Sequence, residues 1–202
     1  MPKDGVTGGL LEYQYFGALE LTTEAQLLAA KKIYQQLSGR AMKNQADGRP
    51  PRLPFDEAVA FAKGLQPWDD PTMPEKKVAK DLLNFVADEL GIEEDSEDEQ
   101  ELKFYTAVGG KKSPLDFYHG VDAFIEFRGT RVLIDVTKNP SKRFEDSNYD
   151  RIIMEELPDY GDKKQKSAYE EELRKYARAV AFSIRQQESS SETHRAYQMR
   201  VA

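Results

Sequence analysis

No cysteine occurs among the 202 residues. That excludes disulfides, thiol catalysis and cysteine-ligated zinc. Histidine is nearly as scarce, with only His119 and His194, so a histidine-rich metal site is excluded too. Any metal held by this chain has to be a hard ion on oxygen ligands, such as Mg2+ or Mn2+. No apolar run reaches the roughly 18 residues of a membrane helix. The N-terminal stretch MPKDGVTGGLLEYQYFG lacks the basic flank and long apolar core of a secretory signal. Together with the missing cysteine, this sets the expectation of a cytoplasmic protein. A Walker loop, a dinucleotide glycine motif and a G-x-S-x-G element are all missing. Gly8-Gly9 and Gly109-Gly110 are too short to imply phosphate cradles. Excess positive charge is missing as well. The net charge of −7 argues against nonspecific coating of nucleic acid, but it leaves room for a local basic patch beside an acidic metal site.

Enough apolar material is present to fold. Hydrophobic residues make up 39% and charged residues 32% of a chain long enough for one ordinary domain. Residues 22–46 read as a helix capped by Thr22 or Thr23, with Leu27, Leu28, Ile33, Tyr34 and Leu37 as its apolar face. The Gly- and Pro-rich stretch 47–54 is a linker, residues 56–65 are a short helix, and 66–74 is a second Pro-rich connection. Trp68, the only tryptophan, is read there as a core anchor for the loop. Residues 75–90 form a longer helix stopped by Gly91. Val78, Leu82, Phe85, Val86 and Leu90 mark its buried stripe, with Glu75 in phase and Glu89 close to it. The acidic run 92–101 reads as a solvated loop, because the spacing and central glycine of an EF-hand are missing.

Three strands follow as a meander: 102–108, 121–127 and 131–137. Residues 146–157 are expected to be a short helix and 164–187 a long one, with Tyr169, Leu173, Tyr176, Val180 and Ile184 on one face. Residues 188–202 are assigned to a flexible tail.

The chemistry lies in the second and third strands. Side chains alternate across a strand. If Arg128-Gly129 is the hairpin loop, Asp122 sits directly opposite Asp135. If Gly129-Thr130 is the loop, Asp122 faces Thr137 and Asp135 lies diagonally across. Both registers put the aspartates on one side, whereas a three-residue loop without a bulge breaks the relation. Like charges side by side destabilise a sheet, and isolated burial of a carboxylate is expensive. A bound cation resolves both problems. The competing reading is an aspartate that caps a turn or pairs with Arg131 or a lysine. His119 reads as a hydrogen-bonded loop residue or a base. Lys111, Lys112, Lys138, Lys142 and Arg143 bracket the acidic pair and suit phosphate contacts.

The order helix with an acid, strand, strand with Asp122, hairpin, strand with Asp135 and then Lys138, helix resembles the PD-(D/E)XK, or restriction-endonuclease-like, nuclease superfamily over residues 75–185. That resemblance implies an α/β (α+β) fold, a small mixed β-sheet flanked by helices over residues 75–187. Residues 1–74 would be a helical extension packed on the core. It further implies a metal-dependent nuclease cleaving DNA or RNA. Asp122 and Asp135 would be the Mg2+ or Mn2+ ligands, and Glu75 the auxiliary helix acid, with Glu89 as second choice. The family's lysine falls two residues after the second acid. Here Thr137 holds that place and Lys138 follows, so the chemistry hinges on whether Lys138 is re-aimed. Two further expectations stand beside this one: a catalytically inactive nuclease-like binding or assembly protein, such as one from a phage or mobile element, and a protein-interaction module docking through helix 22–46.

Overall fold

The computed structural model describes residues 8–19, 21, 23–41, 49–50, 52–109, 112–138 and 151–201, with side chains from residue 9 to residue 190. Helices α1 (Gly8–Phe16), α2 (Glu24–Ser38), α3 (Phe55–Lys63), α4 (Lys77–Leu90) and α5 (Glu97–Glu101) precede strand β1 (Lys103–Thr106). Helix α6 (Pro114–His119), strands β2 (Ala123–Phe127), β3 (Thr130–Val136) and β4 (Arg151–Met154), and helix α7 (Lys166–Val201) complete the order.

The sheet runs β1-β2-β3-β4. The first three strands are an antiparallel meander, and β4 joins parallel to β3. The mixed sheet and flanking helices therefore follow the expected class. The β2–β3 register is set by the turn. Arg128 (φ 49°) and Gly129 (φ 81°) both sit at positive φ, the geometry of a two-residue hairpin loop that matches strand twist. Phe127 pairs with Thr130 and Ala123 with Ile134. The first of the two expected registers is realised as far as Ala123, and Asp122 lies in the bend before the strand, with its amide on the Ile134 carbonyl.

Side-chain alternation splits the core into two layers. Phe104, Ala123, Ile125, Val132, Ile134 and Val136 pack with α1, α4 and α7. Tyr105, Ala107, Phe124 and Leu133 face the other way, toward α2, α3 and α6. Trp68 is buried and its ring lies 6.2 Å from that of Phe104, which makes it the anchor of its loop.

Several elements differ from expectation. Helix α2 begins with a capping box between Thr23 and Gln26 and ends at Gly39 in the left-handed region, so the predicted helix is shorter; residues 42–46 lie outside the described ones. Leu27 and Leu28 are exposed, and the packed face is Ala30, Ile33, Tyr34 and Leu37. The acidic run contains α5, capped by Ser96. Residues 151–154 of the predicted helix 146–157 are strand β4, and 146–150 lie outside the described residues. The β-branched pair Ile152-Ile153 finds a partner edge in β3, and tertiary pairing overrides the local pattern. Helix α7 continues across residues assigned to the tail, as far as Val201.

Candidate metal centre

Three carboxylates converge at the end of the sheet where β2 begins. Oxygen atoms of Glu12, Asp116 and Asp122 lie within 4.8 Å of one another, the one such group among the described residues. Each arrives from a different element. Glu12 projects from α1, whose neighbours Leu11, Tyr15 and Phe16 are buried and fix the helix against the core. Asp116 stands in the first turn of α6, where a negative side chain is favoured by the helix dipole. That helix starts at Ser113, whose hydroxyl accepts from the Asp116 amide, with Pro114 at its first position. It ends at Gly120, in the left-handed conformation at φ 59°. Asp122 follows in the bend that leads into β2.

Asp122 is buried, with 4% of its surface exposed. Its Oδ2 accepts a 2.7 Å hydrogen bond from the Val136 amide, and its own amide donates to the Ile134 carbonyl. The carboxylate thus takes the place of a backbone acceptor where the ladder ends. Burial pushes its pKa well above the usual carboxylate range; Glu12 adds to the rise, the Val136 amide opposes it, and Asp135 and Asp116 raise it further. Asp116 is steadied by the Gly109 amide, which donates to its Oδ2 at 3.0 Å.

Asp135 is also buried but stands outside this group of three. It faces Arg151 of β4, with Nη1 3.5 Å from Oδ2 and both side chains more than nine-tenths buried. Arg151 donates to the carbonyls of Gly120 and His119 as well. One guanidinium therefore binds the Asp135 carboxylate to the turn that separates Asp116 from Asp122.

The other expected site residues are scattered. Glu75 precedes the first residue of α4 and lines a separate cleft with Lys76 and Lys77. It does not join the acidic group, because the helix starts too late for Glu75 to share its buried face. Glu89 pairs with Arg178 toward the other end of α4. Lys138 pairs with Glu156 at 3.7 Å, with 30% and 60% of the side chains exposed. A pair this wet contributes little, so Lys138→Ala is expected to change unfolding free energy by less than about 1 kcal/mol in urea titration. Lys112 Nζ lies 3.5 Å from the Leu21 carbonyl, while Lys111, Lys142 and Arg143 lie outside the described residues. His119 is hydrogen-bonded as expected but is the last residue of α6 rather than a loop residue: Nε2 donates to the Leu53 carbonyl at 3.1 Å and the ring meets Phe55 edge-on.

Glu12 and Asp116 are the members that sequence reasoning missed. Local signals existed. Ser113-Pro114 followed by an acid is a helix start, and the apolar spacing of Leu11, Tyr15 and Phe16 around Glu12 is helical. Comparison of the chain with family models, with curated proteins and with solved structures finds no match to any of them.

Proposed function

We propose that this chain is a metal-dependent phosphodiesterase acting on nucleic acid, with Mg2+ or Mn2+ held among Glu12, Asp116 and Asp122. The observation that carries the reading is the convergence of three carboxylates, one of them inside the core. Without a cation, such a group costs the fold desolvation and repulsion together. The donor set suits a hard ion. It is all oxygen and anionic, and Glu12 and Asp116 are only half-buried, which leaves room for water and a phosphate oxygen. Bound there, the ion would lower the pKa of an attacking water and offset charge on the phosphate. The chain's own part is to hold the oxygens in place: Val136 and Gly109 amides orient Asp122 and Asp116. Support also comes from the element order. A helix, a three-stranded meander with Asp122 entering its second strand and Asp135 on its third, and a closing helix follow the order on which the resemblance rests.

A second reading keeps the fold without the chemistry, as a nucleic-acid-binding or assembly protein. The ion pair of Lys138 with Glu156 favours it, since the lysine that would take the family's role is already engaged. Calorimetric titration with Mn2+ and cleavage assays on DNA and RNA decide between the two. On the first reading Glu12→Gln, Asp116→Asn and Asp122→Asn each lose more than the roughly 10–100-fold that removing an outer-shell partner costs. Cleavage surviving in all three variants would overturn the assignment of the site. A wild type with neither metal uptake nor cleavage leaves the binding reading.

A further inference from the structure

Helix α2 carries apolar side chains on the side away from the core. Its inner face is Ala30, Ile33, Tyr34 and Leu37, packed in the layer that includes α3. At 3.6 residues per turn Leu28 points almost directly away from that face, and it is 54% exposed. Ala25, one turn earlier on the same side, is exposed too, and Leu27 at the flank is 41% exposed. Single exposed leucines are ordinary on a surface, but this one stands in an ordered line of charge. Glu24 lies one turn before Leu28 and Lys32 one turn after it, so the three share one stripe of the helix. Glu24 and Lys32 are about 12 Å apart along the axis, too far to pair within one helix.

That stripe is complementary to itself. A two-fold interface brings the same patch of both copies together, so that residue i meets j and j meets i. Antiparallel helices crossing at Leu28 put leucine on leucine, Glu24 on Lys32 of the second copy, and Lys32 on its Glu24. Parallel helices would face Glu24 with Glu24 and Lys32 with Lys32, and like charges oppose that arrangement. Antiparallel pairing also sets the positive end of one helix dipole beside the negative end of the other. Ala25 leaves room for the facing leucine at an interaxial distance of about 8–10 Å. An apolar centre with opposite charges at equal spacing on its two sides therefore selects a second copy of this helix as its partner.

We propose that the outer face of α2 is a two-fold contact between copies of this chain, with Leu28 at the axis and a Glu24–Lys32 ion pair on either side. One helix per copy buries less than the ~1,000 Å2 of a stable complex, so the dimer is weak and dissociates on dilution. The acidic group takes no part in the contact, and its test runs in EDTA, so this proposal and the phosphodiesterase reading stand or fall separately.

Sedimentation equilibrium of the full chain, from micromolar to near-millimolar concentration, measures the association. The average mass should climb from monomer toward dimer as concentration rises, and less steeply at high salt, which screens the ion pairs. Leu28→Glu should keep the chain monomeric, because it sets two carboxylates against each other at the axis. Within its own helix the new carboxylate stands one turn before Lys32, which favours the helix, so its circular dichroism should match wild type. Glu24→Lys and Lys32→Glu should each weaken the dimer on the order of tenfold, since the symmetry turns both ion pairs into like-charge contacts at once. Combining the two reversals restores opposite charges and should bring the affinity back to within about threefold of wild type. A wild type that is monomeric at every concentration, a dimer unaffected by Leu28→Glu, or a double reversal as weak as its parents would each overturn the proposal.

Discussion

Asp122→Asn is expected to make the metal-free protein more stable and to abolish its response to divalent ions. Asparagine keeps an oxygen to accept from the Val136 amide, and it fills almost the same space, so the ladder end stays satisfied. What it removes is a charge that burial, Glu12, Asp135 and Asp116 all disfavour. The sign follows from linkage. A carboxyl whose folded pKa is raised contributes stability that is fully present below its unfolded pKa, near 4, and lost as pH rises through the folded value. The wild type should therefore lose stability as pH rises above the ordinary carboxylate range toward the raised folded value, and the asparagine variant should lose less. Above the folded pKa the gain should be about 1–3 kcal/mol, in the range of a relieved buried charge, with each kcal/mol worth roughly 2–4 °C in a chain of this size. Metal reverses the order: at 100 times the dissociation constant a ligand stabilises by about 2.7 kcal/mol, and only the wild type collects it. Melting curves across pH, with and without Mn2+, check both halves. A variant that melts lower than wild type at every pH, or an equal rise with Mn2+ in both proteins, would contradict the account.

The parts of the molecule legible in the sequence are those whose cause is local. Arg128-Gly129 specifies a tight turn, and the turn specifies the register from Phe127 and Thr130 to Ala123 and Ile134. Gly39 and Gly91 stop their helices where the left-handed conformation is needed. Strand β4 was not legible because its cause is distant. Arg151–Met154 is a short segment that becomes a strand only against the edge of β3. The acidic group divides the same way. Asp122 carries its own signal, an acid next to an apolar strand. Glu12 and Asp116 look like ordinary helix residues until α1 and α6 are packed against the sheet end. Glu75 had the right phase and the wrong place, because the backbone between Pro74 and Lys77 is not yet helical. Periodicity reports which face of a helix is buried, but not which helix reaches the site.

Arg151→Met is expected to cost about 3–5 kcal/mol in urea unfolding, the usual penalty for removing one partner of a buried ion pair. The loss has three parts. Asp135 would keep a buried charge without the guanidinium beside it. The carbonyls of Gly120 and His119 would lose their shared donor. The turn itself is built to the arginine: a Cβ at Gly120 would lie 3.0 Å from Arg151 Nη1, so the backbone approaches the guanidinium as closely as glycine allows. Lysine should rescue little, because one ammonium cannot present a planar fork to a carboxylate and two carbonyls together. Adding Asp135→Asn to Arg151→Met should recover part of the loss by removing the orphaned charge. That gives a coupling between the two positions in the range of about 0.5–3 kcal/mol. Because the clamped turn stands between Asp116 and Asp122, the folded fraction of Arg151→Met should also bind Mn2+ more weakly at low temperature. A double-variant cycle whose costs simply add would mean that Arg151 and Asp135 act independently, and the clamp would lose its physical basis.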